Sequence, residues 1–290
     1  VPAEVVRNKF PAQSAVDSPI SFIRVIAMAL RHWLALSLLS IGYGLALLQG
    51  SLAPSAILGL SLLIIAGVCV QNTRPRYVRV IGHAMFILTG LALALSVMPG
   101  FNNAIVIDAV RFTPDAAAYT MDLNLDKPLI GFWLLLACPW ILVGVGIAHS
   151  LKVGVLALVV TSAFCMTTAV MLGITGWAPK WPAQSTIWWV NNLLLVTLTE
   201  ELFFRAYLQG GLQRWFGSAR FATPLAITLT ACLFGLSHLG AGWEWGLLAG
   251  MAGIGYGVAF RFGGLTAAVI SHFGLNLVHF ALFTYPMLDR

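Results

Sequence analysis

Mostly apolar runs of about 17 residues or more recur from Trp33 onward, each long enough to cross the roughly 30 Å hydrocarbon core of a bilayer as a helix. In lipid every backbone N–H and C=O must be satisfied within a helix or a closed barrel. A barrel would show short alternating stretches, and these runs are continuous. Composition agrees: the chain is 59% hydrophobic and 9% charged, against about 45–50% and 25% in soluble domains. The expected fold is an all-α, polytopic transmembrane helical bundle. Nine spans are predicted, at 33–49, 52–71, 80–98, 129–148, 153–175, 187–209, 222–238, 245–260 and 265–284. Arg24 and Arg31 flank apolar residues between Ser21 and His32, which fits an interfacial helix leading into the first span. Residues 1–20 are polar and lack the apolar core of a signal peptide, so no cleaved leader is expected there. This divides the chain into an N-terminal cytoplasmic or interfacial segment (1–32), N-terminal transmembrane helices (33–150) and a core (151–290).

The net charge of +6 does not indicate nucleic-acid binding, because basic residues in a membrane protein encode orientation and contact with anionic headgroups. With the N-terminus cytoplasmic, Arg7, Lys9, Arg24, Arg31, Arg74, Arg76, Arg79, Lys152, Arg214, Arg220 and Arg261 fall on the cytoplasmic side. Arg111, Lys127, Lys180 and Arg290 fall on the other, and intramembrane Arg205 on neither. The positive-inside rule therefore predicts N-in and C-out. Cys69, Cys138, Cys165 and Cys232 lie in apolar segments without CxxC spacing and read as small buried side chains. The segment 100–127 is the longest loop, expected as a solvated extracytoplasmic connection. Its alternative is a substrate-recruiting lid. Trp177, Trp181, Trp188 and Trp189 read as an interfacial aromatic belt.

Against this background the run Asn192–Tyr207 stands out, because Glu200, Glu201 and Arg205 lie in apolar surroundings. A charge near the bilayer centre costs roughly 2.5–3.5 kcal/mol on insertion scales, so three together require a reason. Glu201 and Arg205 are one helical turn apart in the favoured acid-before-base order. Glu200 and Arg205 are separated by about 140° around the axis. Arg205 is thus expected to neutralise Glu201 and leave Glu200 with a free carboxylate, able to exchange a proton with water. Two later segments each place histidine at apolar depth: Phe234–His238 and His272–Asn276. His238 is a candidate partner of Glu200 at that water. His272 and Asn276, four residues apart, project to one point and could hold a developing oxyanion. Ser237 and Ser271 adjoin histidines in sequence, but neighbours on a helix diverge by about 100°, so neither reads as a nucleophile. Taken singly, a membrane Glu–Arg pair or histidine is as readily structural. The density of three such motifs in the last third of the chain favours chemistry.

The order Glu200-Glu201-Leu-Phe-Phe-Arg205, Phe234-Gly-Leu-Ser-His238, His272-Phe-Gly-Leu-Asn276 resembles the CPBP family of intramembrane proteases, which includes the type II CAAX prenyl endopeptidases and bacterial (Abi-type) relatives linked to bacteriocin handling. Gly253–Gly264 is similar to the glycine-rich helix and basic turn that precede the last motif in that family. The resemblance covers about 187–284. It implies that Glu200 and His238 activate water, that His272 and Asn276 form the oxyanion hole, and that Glu201 and Arg205 support the site. Ala206 departs from the glycine that many members carry after the arginine. His279 lies on the same face as Asn276 but outside the motif, and reads as a structural partner.

No cofactor is expected. A Zn²⁺ ion held by His238, His272 and a glutamate is the alternative, disfavoured because no His-Glu-x-x-His element is present. The expected partners are the bilayer and a membrane-associated protein or peptide substrate, such as a sorting tail, a leader peptide or a CAAX-like terminus. The expected location is a bacterial inner membrane. Depths counted along the helices differ: about 16 Å for His272, 21 Å for Glu200 and 27 Å for His238 from the cytoplasmic side. A cavity opening outward, with tilted or interrupted helices, would reconcile them. The competing classes are a proton- or ion-coupled transporter and a non-catalytic scaffold or immunity protein.

Overall fold

Helix dominates the molecule, as an apolar chain without water to satisfy its backbone requires. The structure, a computed structural model, describes residues 19–142 and 145–289. Its helices are α1 (Pro19–Leu48), α2 (Ile57–Cys69), α3 (Arg76–Ala94), α4 (Pro128–Ala137), α5 (Ile147–Met171), α6 (185–216), α7 (Ala222–Ser237) and α8 (Trp243–Leu282). A two-stranded antiparallel hairpin, β1 (Ala104–Val110) and β2 (Tyr119–Leu123), lies between α3 and α4. Residues 1–18 of the expected N-terminal segment lie outside the described residues, and the rest of it continues into the first expected span as α1.

Four helices are long and apolar enough to cross a membrane: Arg76–Ala94, Ile147–Met171, Ala222–Ala241 and Trp243–Leu282. His32–Leu48, Pro54–Cys69 and Pro128–Ala137 are apolar but shorter. Among the described residues these lengths support a helical membrane protein but not the count of nine spans, and the reasons are local. The span expected at 129–148 stops at Ala137, because Cys138 leaves the helical region (φ −124°, ψ 61°) ahead of Pro139, whose ring disfavours helix in the residue before it. The run expected at 187–209 alternates between α and π geometry. The spans expected at 245–260 and 265–284 are both helical and lie side by side, His272 stacked on Tyr256, joined without a loop at a sharp bend at Gly264.

That bend depends on glycine. Gly264 has φ 72° and ψ −169°, a region that only glycine occupies without a strain of about 1–3 kcal/mol. Gly264→Ala is expected to lose about that much stability, read as a lower unfolding midpoint of the purified protein in detergent. An unchanged midpoint would show that the bend does not need glycine.

Two interior clusters hold the helices. The larger joins α2, α3 and α4 to α6 through Leu63, Phe86, Trp133, Leu202 and Tyr207. Phe86 stacks on Trp133 at 3.8 Å between ring centroids, and Trp133 Nε1 donates to the Leu63 carbonyl at 2.8 Å. The other joins α5, α7 and α8 through Cys165, Phe234, Ala252 and Tyr256. Small residues set the helix spacing there: a Cβ on Gly255 would lie 2.1 Å from Thr161, and one on Gly235 would lie 2.6 Å from the Gly246 carbonyl. Close backbone approach of this kind is how helices associate in lipid. The outer side of α5 exposes Val155, Val159, Val160 and Phe164, the surface expected of a helix facing hydrocarbon.

The segment 100–127 is folded onto the bundle. Ile107 and Met121 are buried against Trp188 and Phe280. Trp188 accordingly leaves the expected aromatic belt: it is 1% exposed and stacks on Phe280 at 4.0 Å, whereas Trp177 and Trp181 are exposed. Residues 283–289 run extended between two loops. Thr284 and Leu288 N–H donate to Gly176 and Ile174, Ala117 N–H donates to Met287, and Asp289 N–H donates to Asp115. An Arg111–Asp289 ion pair at 2.6 Å and a donation from the Lys180 ammonium to the Phe283 carbonyl complete this strap. Burial lowers the Lys180 pKa to about 8, with Asp115 opposing the shift.

Candidate active site

The site is built on α6, where two acids must face inward from a leucine-rich helix. Glu200 and Glu201 occupy Leu198–Glu201, a single α-helical turn between π-helical Asn192–Thr197 and Leu202–Gln209. A π segment inserts an extra residue per turn and shifts which side chains face the core; such segments concentrate at functional sites.

Glu201 and Arg205 are both 0% exposed, and Arg205 Nε donates to Glu201 Oε2 at 3.1 Å. The guanidinium carbon lies 5.1 Å from the Phe234 ring centroid, 5.7 Å from that of Tyr256 and 5.9 Å from that of Phe204. Aromatic faces attract a desolvated cation, so the charge is shared between Glu201 and these rings. Glu201 Oε1 accepts from His272 Nδ1 at 2.9 Å. An ionised carboxylate only accepts, so Nδ1 carries a proton. The His272 ring is stacked on Tyr256 at 4.4 Å and 13° and meets the edge of Phe234 at 5.6 Å and 89°. Its Nε2 stands 3.9 Å from Glu200 Oε2, beyond hydrogen-bond length.

Glu200 keeps the free carboxylate expected of it. Its side chain is 28% exposed, and Oε2 is buried without a hydrogen-bond partner. His238 ends α7, where Nδ1 contacts the Phe234 carbonyl at 2.8 Å. A carbonyl only accepts, so the proton sits on Nδ1 and Nε2 is left as a base. Asn276 Nδ2 donates to Asn192 Oδ1 at 3.2 Å, and Thr197 Oγ1 donates to the same oxygen at 3.3 Å.

One cavity of about 360 Å³ is lined by Glu200, His238, His272 and Asn276 together. Glu201 and Arg205 stand behind it. The six residues singled out by spacing are thus gathered, four on the cavity and two supporting them. Ala241, Trp245, Pro286 and Met287 place part of the cavity wall at the hairpin end of the molecule.

Three site residues escaped the motif reading, Asn192, Thr197 and Tyr256, while His279, expected as a structural partner, also lines the cavity. Asn192 and Thr197 carried a usable signal, being polar residues on the same apolar helix as the acids. Ser237 does not diverge from His238 as expected: its Oγ lies 3.2 Å from His238 Nδ1. His238 is already at the helix end, where the helical angle between neighbours no longer applies. Ser237 donates instead to Phe234 O at 2.7 Å and does not line the cavity. Among the described residues, no group of three or more His, Cys, Asp or Glu is arranged to hold a metal ion.

No curated protein and no solved structure matches the chain. Residues 182–278, about a third of the sequence and the part that contains all six motif residues, match the family model described as type II CAAX prenyl endopeptidase Rce1-like. Over this segment the chain matches the CPBP/CAAX protease family.

Proposed function

We propose that the chain is a membrane-embedded endopeptidase that hydrolyses a peptide bond with a water activated by Glu200 and His238. The observation that carries this reading is the convergence of Glu200, His238, His272 and Asn276 on one cavity. Glu200 is the only one of the two acids with a free carboxylate, and His238 offers an unprotonated Nε2, so either can take a proton from water. The water oxygen bonds to the scissile carbonyl carbon, and the carbonyl oxygen becomes the oxyanion. Asn276 Nδ2 donates to it with the hydrogen not used by Asn192. His272 lines the same cavity, with its Nδ1–H committed to Glu201. The proton held at Glu200 passes to the leaving nitrogen as the C–N bond breaks.

This mechanism involves no metal: Glu201 is already engaged by Arg205 and His272. Orientation belongs to the same proposal. Arg74, Arg76, Arg79, Lys152, Arg214, Arg220 and Arg261 face the cytoplasm, and the hairpin and strap lie at the opposite face. The substrate is a membrane-associated protein or peptide approaching from that outer side.

The test is terminal-peptide proteomics on cells carrying wild type, Glu200→Gln or His238→Ala. A protein whose processed end appears only with wild type supports the reading and identifies the substrate. Termini identical in all three strains would sink it. A finer expectation concerns Asn192. Asn192→Leu frees the Asn276 amide to rotate and should lower kcat about tenfold with KM little changed, since one misaligned donor weakens only transition-state contacts. A change in KM alone would remove Asn192 from this role.

A further inference from the structure

His279 is a cavity residue that the mechanism above leaves unused. It is 8% exposed, lines the same cavity as Glu200 and Asn276, and its Nε2 is buried without a hydrogen-bond partner. A buried polar atom left unsatisfied costs about 1–3 kcal/mol, so its retention requires an explanation. The ring is held in place. Tyr285 stands 5.0 Å away and Trp245 5.6 Å away between centroids. With the proton on Nδ1, the unpartnered Nε2 is left as an acceptor.

His279 follows Asn276 by three residues on α8, a rise of about 4.5 Å on the same face. In an extended peptide the N–H and C=O of one residue project to the same side, which is how paired strands exchange both bonds. A peptide whose scissile carbonyl points at Asn276 therefore points the N–H of that same residue along the His272–Asn276–His279 face.

We propose that His279 is a substrate-binding residue whose Nε2 accepts the backbone N–H of the residue that owns the scissile carbonyl, holding the substrate extended along α8. This rests on the endopeptidase reading and adds a recognition element to it: a substrate with a secondary amide at that position and an extended backbone. An N-substituted residue there, such as proline, is excluded.

The test uses the purified full chain in detergent and, as probe, a peptide library prepared by digesting membrane proteins, with cleavage sites read by mass spectrometry. The best-cleaved peptide is then made with and without an N-methyl group on the amide nitrogen of the residue bearing the cleaved carbonyl. Wild type should show KM raised about tenfold by the methyl group with kcat little changed, the size of one neutral hydrogen bond. His279→Leu should show the same rise on the unmethylated peptide and no further rise on the methylated one, and His279→Gln, which keeps an acceptor, should fall between. Independent, additive losses in His279→Leu, or a fall in kcat at constant KM, would overturn the proposal. A library cut equally by wild type and Glu200→Gln, or by neither, fails the endopeptidase reading itself and takes the proposal with it. Cleavage by wild type alone with His279→Leu unaffected refutes only the role of His279.

Discussion

Glu200→Gln is expected to lower turnover about 10²–10⁴-fold, the usual contribution of a positioned general base, with the fold unchanged. Glutamine matches glutamate in shape but cannot take a proton from water. The effect on stability should be small, because Glu200 is partly exposed and its Oε2 has no hydrogen-bond partner to lose. The measurement pairs single-turnover cleavage of the identified substrate with thermal unfolding in detergent. Loss of activity with an unchanged midpoint is the expected pattern. A variant that keeps wild-type turnover would show that Glu200 is not the base. A variant that loses cleavage only by unfolding would make the residue structural. A coupled transporter would show neither pattern, losing ion-driven flux without altering the length of any partner protein.

Arg205→Met should have the larger effect on stability. Both members of the Glu201–Arg205 pair are wholly buried, and removing one partner of a buried pair typically costs about 3–5 kcal/mol because the other charge is left uncompensated. Methionine fills much of the volume among Phe204, Phe234 and Tyr256, so packing loss is minor. Glu201→Leu combined with Arg205→Met removes both charges and should recover most of the lost stability. It should not recover activity, since His272 would lose the acceptor that fixes its ring. Unfolding midpoints of the two variants, read beside turnover, separate these effects. Equal stability of the single and double variants would mean that Glu201 carries no buried charge.

The candidate site was legible in the sequence because apolar surroundings make polar residues conspicuous. Glu200, Glu201, Arg205, His238, His272 and Asn276 announce themselves against leucine and alanine, and helical spacing alone pairs Glu201 with Arg205. Spacing could not reveal that His272 turns its Nδ1 to Glu201, because that contact spans 71 residues and depends on the bend at Gly264. The number of spans was less legible for the opposite reason. Hydropathy sums over a window and passes smoothly across Cys138-Pro139, where one backbone torsion ends a helix. The hairpin was hidden by Asp108 and Asp122. These acids make 100–127 look like a solvated loop, although Ile105, Val106 and Ile107 are a run of the β-branched residues enriched in strands.

Gly264 carries a geometric consequence beyond its own strain. His272, Asn276 and His279 hang from the second half of α8 at about 12, 18 and 22 Å from that residue. A rotation of about 5° there would displace them by about 1, 1.6 and 2 Å, at 1.5 Å of lever arm per residue. A misplacement of about 1 Å can cost a hundredfold in rate. The half of α8 before Gly264 carries Tyr256, on which His272 stacks at 4.4 Å, so the stack acts as the stop that fixes the lever. Alignment in this molecule is one dihedral multiplied by distance, with an aromatic ring as its end-point.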